Sequence, residues 1–382
     1  MGKWILIPDS FKGTMSSEEI CTVMAAALRR HLPEADIVSI PVADGGEGSV
    51  DAFLAALGGR REKVPCTGPD GRPITAFYGR LPDGTAVVEM AAAAGLPLME
   101  GHLCAEGATT YGVGELLRAA VHAGAKRVIL GLGGSATNDG GCGCAAALGI
   151  RFLDRDGVPF VPVGGTLDRL DRIDASGLDP AVRAADITVM CDIDNPLCGP
   201  TGASAVFGPQ KGAGPEMVAR LDRNLGHLAD IIRRDLGMEI RDLPGSGAAG
   251  GMGGGMVAFL GGRLQMGIET VLDTVGFDAM VQGASGVLTG EGRIDGQSLR
   301  GKVVVGVARR AAAAGVPVIA VVGDVAPGAA AAYEQGVTAI FSTNRQAVPW
   351  EQAKHTAKED LAAVMGDFPA FWRPWANAES AF

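Results

Sequence analysis

Val128-Ile-Leu-Gly-Leu-Gly-Gly-Ser-Ala-Thr-Asn-Asp-Gly-Gly141 runs almost directly into the alanine-rich stretch Ala145-Ala-Ala-Leu148. A β-branched run, a glycine-rich turn and a helix start, in that order, form the repeating unit of an α/β fold. The same alternation recurs outward in both directions. Trp4 to Ile7, Ile37 to Val42, Ile187 to Met190, Val287 to Thr289 and Val316 to Val322 read as strands separated by alanine-rich helical stretches. Ser17 to Leu32 reads as a helix behind a serine cap, with acids in its first turn, and a right-handed crossover carries it to the second strand. The expected fold class is therefore α/β.

The ends of these strands carry the polar chemistry: Pro8-Asp-Ser10, Ala43-Asp-Gly-Gly46, Cys191-Asp-Ile-Asp194, Gly290-Glu-Gly-Arg293 and Gly323-Asp324. In open parallel sheets, ligands bind outside the carboxyl ends of the strands. Several of these loops are expected to face one cleft. In the loop after Val128 to Leu130, Gly133, Gly134, Ser135, Thr137, Asn138 and Asp139 are the candidate nucleotide-binding residues. Glycine lets the backbone approach a phosphate closely, and the amides of a helix start favour an anion. Asp139 is expected either to position a metal or to hold the loop. The second glycine cluster, Gly245 to Met256, suits phosphate binding and tight helix packing equally. Gly296 to Lys302 fits the glycine-lysine spacing of a P-loop, but Val303 replaces the magnesium-binding hydroxyl and no strand precedes it, so that reading is rejected.

Phosphoryl transfer to an alcohol needs cations on the moving phosphate, a carboxylate that binds Mg²⁺, and an acid that accepts the hydroxyl proton. Lys12, Asp44, Asp192 and Asp295 are the candidate catalytic residues, with Asp192 also the metal candidate. Ser10, Lys12 and Arg293 are the candidate substrate contacts. Arg293 has a plainer alternative, neutralising Glu291 or Asp295.

Length and composition set the limits. A chain of 382 residues exceeds one ordinary core at roughly 150 residues per domain. The proline- and glycine-rich stretch from Val64 to Tyr78 and the change of register near Asp278 to Gly286 are candidate boundaries. The net charge of -10 argues against general binding to nucleic acid or a membrane surface. The opening Met-Gly-Lys-Trp-Ile-Leu-Ile-Pro-Asp lacks the pattern of a secretory leader. No apolar run approaches the roughly 18 residues of a membrane span, so a soluble cytoplasmic protein is expected. The seven cysteines include no C-x-x-C pair, and Cys142 and Cys144 read as small buried apolar residues.

Pro8-Asp-Ser-Phe-Lys-Gly13, Val42-Ala-Asp-Gly-Gly-Glu-Gly48, Gly133-Gly-Ser-Ala-Thr-Asn-Asp-Gly-Gly141, Cys191-Asp-Ile-Asp-Asn-Pro-Leu197, Gly202-Ala-Ser-Ala-Val-Phe-Gly-Pro-Gln-Lys-Gly212 and Thr289-Gly-Glu-Gly-Arg-Ile-Asp-Gly-Gln-Ser298 follow one another along the chain. Together they resemble the type I glycerate kinases over nearly the whole length. The resemblance implies transfer of the γ-phosphate of ATP to D-glycerate with Mg²⁺, generally giving 2-phosphoglycerate. It also implies a Rossmann-like parallel-sheet domain built from both chain ends, residues 1–63 and 285–382, with an inserted α/β domain, residues 64–284. A 3-phosphoglycerate-forming kinase and a non-catalytic small-acid binding protein remain the alternatives, and a homodimer stays open. A dehydrogenase is disfavoured because no G-x-G-x-x-G follows the first strand.

Overall fold

The computed structural model describes residues 2–42, 45–296, 298 and 301–376, with side chains to residue 367. Contacts divide the chain into two compact units, Met1–Ala43 with Ile268–Phe382, and Asp44–Gly267. The seams lie at 43/44 and 267/268, where the sequence suggested 63/64 and 284/285.

The first unit is built on a five-stranded sheet in the order Ala339–Ser342, Val318–Val322, Ala284–Gly290, Lys3–Pro8, Asp36–Ser39. Every neighbouring pair is parallel. Val318–Val322 is buried along its whole length, which is why it reads as an unbroken apolar run rather than an alternating one. From the central Lys3–Pro8 strand the chain builds outward one way, and from Ala284–Gly290 it builds outward the other. This is a topological switch point, with Pro8 in register with Gly290 at its carboxyl edge.

The helix Ser17–His31 begins at Ser16, whose side chain accepts the Glu19 amide while the Glu19 carboxylate accepts the Ser16 amide. Its apolar stripe of Ile20, Met24 and Leu28 packs with Trp4, Leu6, Leu361 and Met365 into one core. The valine-rich helix Val303–Ala313 packs on the three central strands.

The second unit carries a six-stranded sheet in the order Arg263–Gln265, Asp186–Met190, Arg127–Gly131, Ala86–Glu89, Pro73–Arg80, Arg60–Thr67. The first four strands run parallel, and the last two form an antiparallel hairpin. The proline and glycine that suggested a boundary near Val64 to Tyr78 form the turn of that hairpin. Gly68 N–H donates to Arg72 O at 2.7 Å, Gly71 N–H donates to Gly68 O at 3.0 Å, and Val64 pairs with Ala76. A small three-stranded sheet, Arg151–Leu153, Pro159–Phe160 and Arg172–Asp174, and the amphipathic helix Pro215–Leu236 complete the unit. No helix among the described residues is long and apolar enough to cross a membrane.

Candidate active site

In the second unit, the glycine loop leaves the strand Arg127–Gly131 under tight constraint. A Cβ at Gly131 would lie 2.4 Å from Gly45 O, and one at Gly133 would lie 2.4 Å from Gly46 Cα. The turn Gly45-Gly46 therefore lies against the loop, fastened by Gly133 N–H donating to Gly45 O at 2.9 Å. Only Gly133 and Gly134 reach the surface, Gly134 with φ +75°, while Ser135, Thr137, Asn138 and Asp139 are buried.

The buried four hold the loop. Asp139 Oδ2 accepts from Thr110 N at 2.8 Å, Thr110 Oγ1 at 2.8 Å and Gly143 N at 3.2 Å, while Oδ1 accepts from Gly141 N at 3.0 Å. Asn138 Nδ2 donates to Ser204 Oγ at 3.1 Å, and Thr137 N donates to Ser135 Oγ at 3.2 Å. The expectation that the following helix start presents free amides is not met. That helix, Cys142–Ala147, has only six residues, and the amides of Gly141, Gly143 and Cys144 are already bonded to Asp139 and Thr110. Of the two readings of Asp139, the geometry favours holding the loop.

The second glycine cluster packs on this loop from inside the protein. Ala249, Gly250 and Gly251 adopt three successive left-handed conformations, and a Cβ at Gly250 would lie 2.0 Å from Thr137 O. Gly255 leaves the same kind of gap, 2.1 Å, to Gly140 O. These glycines serve close packing. Cys142 and Cys144 are free, fully buried thiols held neutral by burial.

Asp192 follows the strand Asp186–Met190, whose Met190 is in register with Gly131 of the neighbouring strand, so both leave the same sheet edge. Its Oδ1 accepts from Gly267 N at 2.6 Å. A Cβ at Gly267 would lie 3.1 and 3.2 Å from the two carboxylate oxygens, so glycine there lets the chain pass close. At the end of the adjacent strand Ala86–Glu89, buried Glu89 accepts the Val50 amide and fixes the start of the helix Ser49–Leu57.

In the first unit, the switch point gathers Ser10, Lys12, Arg293 and Asp295. Asp9 N–H donates to Gly290 O at 2.8 Å, and a Cβ on Gly292 would lie 3.5 Å from Phe11 Cα and 3.6 Å from Lys12 N. The loops after the two central strands therefore touch. Ser10 N–H donates to Asp9 Oδ1 at 2.7 Å, and Lys12 is exposed. Asp295 Oδ1 accepts from Ser298 N at 3.2 Å while Asp295 N–H donates to Ser298 Oγ at 3.1 Å. Among the described residues, Arg293 forms no ion pair with Glu291 or Asp295. Its Nε lies 3.5 Å from Asp324 Oδ2, with both side chains more than half exposed. Such a pair contributes about 0–1 kcal/mol and yields readily to a better anion. Asp44 lies outside the described residues.

Two groups escaped selection from sequence. Glu291, 5% exposed, follows the strand Ala284–Gly290, and its Oε1 has no hydrogen-bond partner among the described residues. Burial pushes its carboxyl up to about 7, opposed by the Ser298 hydroxyl and Lys302 and aided by Asp9 and Asp295. Lys211, 2% exposed, reaches under the glycine loop, with Nζ donating to Ser135 Oγ at 3.1 Å and to Thr137 O at 2.6 Å. Each is a charged residue flanked closely by glycines within a quoted motif, Gly290-Glu-Gly292 and Gly208-Pro-Gln-Lys-Gly212, and that was the available signal.

Comparison with known proteins agrees along the whole chain. A sequence profile described as the glycerate kinase family matches residues 4–373. The glycerate kinase of Bacillus subtilis (strain 168) is 46% identical over 373 residues, covering 96% of this chain and 97% of that protein. The glycerate 2-kinase of Escherichia coli (strain K12) is 44% identical, covering 89% of this chain and 90% of that protein. A crystal structure from Salmonella typhimurium LT2, assigned as glycerate kinase 2, superposes with a TM-score of 0.87 at 42% identity, covering 98% of this chain and 99% of the other.

Proposed function

Since the chain belongs to the glycerate kinase family, whose members are ATP-dependent phosphotransferases, we propose that it transfers the γ-phosphate of ATP to D-glycerate and releases 2-phosphoglycerate. The observation that carries the substrate reading is the switch point of the first unit. There, Lys12 and Arg293 stand on two touching loops beside Asp9, Glu291 and Asp295. A substrate with one carboxylate and two hydroxyls needs both signs of charge at close quarters. The planar Arg293 guanidinium, held now by a weak surface pair, offers the carboxylate two parallel hydrogen bonds. Lys12 adds a point charge, and Ser10 a hydroxyl.

Nucleotide phosphate is proposed to bind at Gly133 and Gly134. Gly134 is exposed and Gly133 partly so, on a loop whose shape Ser135, Thr137, Asn138 and Asp139 fix from beneath. In this reading the four buried residues act through the backbone, and only the two glycines approach the anion.

Mg²⁺ in such reactions takes one or two carboxylates and completes its sphere with phosphate oxygens and water, neutralising the charge that develops there. Asp192 fits that donor set. Its carboxylate leaves the same sheet edge as the glycine loop and would supply an oxygen ligand there. Asp295, fixed by its reciprocal bonds with Ser298, is proposed to accept the proton as the glycerate hydroxyl oxygen bonds to phosphorus and ADP departs.

The test is ADP release measured with D-glycerate, L-glycerate and glycerol in turn, with no nicotinamide present. D-Glycerate should drive ADP formation, and glycerol should be a very poor acceptor because it lacks the carboxylate that Lys12 and Arg293 would pair. Turnover of glycerol as fast as D-glycerate would refute the carboxylate site.

A further inference from the structure

Lys211 sits in the short turn Pro209–Lys211, which Gly212 ends at φ +90°. From there its side chain runs inward, and its Nζ meets two neutral acceptors on the glycine loop, Ser135 Oγ and Thr137 O. The charged group that acts on it is Asp139, which is itself engaged by four donors. Burying a cation on neutral partners costs several kcal/mol. A methionine would fill similar space without that penalty. An anion on the exposed side of the same loop would offset it.

We propose that Lys211 is a positioning residue for nucleotide binding: its Nζ sets the curve of the Gly133–Asp139 loop, and it takes up a proton from solvent when phosphate binds above it. The inference rests on the reading of that loop as the phosphate site. Burial pulls the free ammonium down to about 7, with Asp139 opposing the fall. A phosphate brought near the loop favours the charged form, and an opposite charge within about 4–6 Å moves such a group by about 1–3 units. The neutral amine of the empty site thus becomes the ammonium of the loaded one. Lys211 need not touch the nucleotide to do this. It acts through Ser135 and Thr137 and through the field across a water-poor loop.

The experiment is calorimetric titration of the full-length protein with Mg-ADP, near pH 8, in Tris and in HEPES. The nucleotide's own phosphates, with a second pKa of about 6, are ionised there. The wild type should take up about 0.4–0.9 proton per nucleotide, and its Kd should weaken about three- to eightfold per pH unit as pH rises. In Lys211→Met the uptake should vanish and the Kd should become flat with pH. Ser135→Ala, which removes one acceptor of the ammonium, should move the midpoint of the Kd profile to lower pH. It serves as well if Lys211→Met fails to fold. No proton uptake by the wild type, uptake that survives in Lys211→Met, or a Ser135→Ala profile superimposable on wild type would overturn the role of Lys211. Gly134→Val separates the two layers of the argument. Unchanged Mg-ADP affinity in that variant would overturn the loop reading and this inference with it. Weakened affinity without proton uptake in the wild type would overturn the role of Lys211 alone.

Discussion

Asp139→Asn asks whether this carboxylate holds the loop or serves the ligand. The carboxylate accepts four hydrogen bonds while fully buried, three on Oδ2 and one on Oδ1. Asparagine keeps the shape but offers one carbonyl oxygen and one NH₂ group. Its best orientation places the carbonyl toward Thr110 and Gly143, which turns the NH₂ toward the Gly141 N–H. Three charge-assisted bonds become neutral ones, each weaker by about 1 kcal/mol, and one buried donor loses its acceptor at about 1–3 kcal/mol. Removing the buried charge recovers part of this sum, leaving a net loss of about 3 kcal/mol. For a unit of this size the melting midpoint should fall by roughly 6–12 °C, at about 2–4 °C per kcal/mol. Thermal denaturation of the ligand-free protein measures it. A variant that melts with the wild type yet loses Mg-ATP affinity would refute the holding role and return Asp139 to direct contact with the ligand or its metal.

Glu291→Gln should remove a pH dependence. The folded carboxyl lies near 7, above its ordinary 4.5, so the stability it gives is full below about 4.5 and is lost as pH rises through about 7. The glutamine variant should gain on wild type across that interval, by at most about 3 kcal/mol, in urea melts run as a pH series; parallel curves would contradict the burial argument. Arg293→Lys should raise KM for glycerate well above any change in KM for ATP, because a point charge replaces a planar fork; an effect on ATP alone would move Arg293 out of the substrate site. Gly250→Ala must place a Cβ that would lie 2.0 Å from Thr137 O at φ +66°. It should cost about 3 kcal/mol in denaturant melts and weaken Mg-ATP binding by displacing the loop, and a neutral outcome on both would show the packing to be loose.

The α/β class was legible because its central strands are mostly buried on both faces and therefore stand out as continuous apolar runs. Val128 to Leu130 lies inside the observed Arg127–Gly131, and Val287 to Thr289 inside Ala284–Gly290. Ser17–His31 was legible from its cap and stripe. The hairpin Arg60–Thr67 and Pro73–Arg80 was not, because alternating exposure leaves no apolar run and the turn residues Gly68, Pro69 and Gly71 look like a linker. In the candidate site, the loops at strand ends were found, but which side of a loop a residue faces is set by packing. Thr137, Asn138 and Asp139 look like ligand groups in sequence and lie beneath the loop in space. Lys211 was passed over for the matching reason, and Glu291, noted among the strand-end acids, was not chosen as a site residue. Their charge suggests surface residues, whereas the neighbouring glycines let the backbone pack closely and bury them.

The central claim, phosphate transfer from ATP to a defined hydroxyl of glycerate, is tested most directly by phosphorus NMR of the protein with Mg-ATP and D-glycerate. The account predicts loss of the γ-phosphate signal, growth of ADP, and one new phosphomonoester signal matching added 2-phosphoglycerate. A signal matching 3-phosphoglycerate would contradict the proposed regiochemistry, and ATP left intact beside unmodified glycerate would contradict the activity itself.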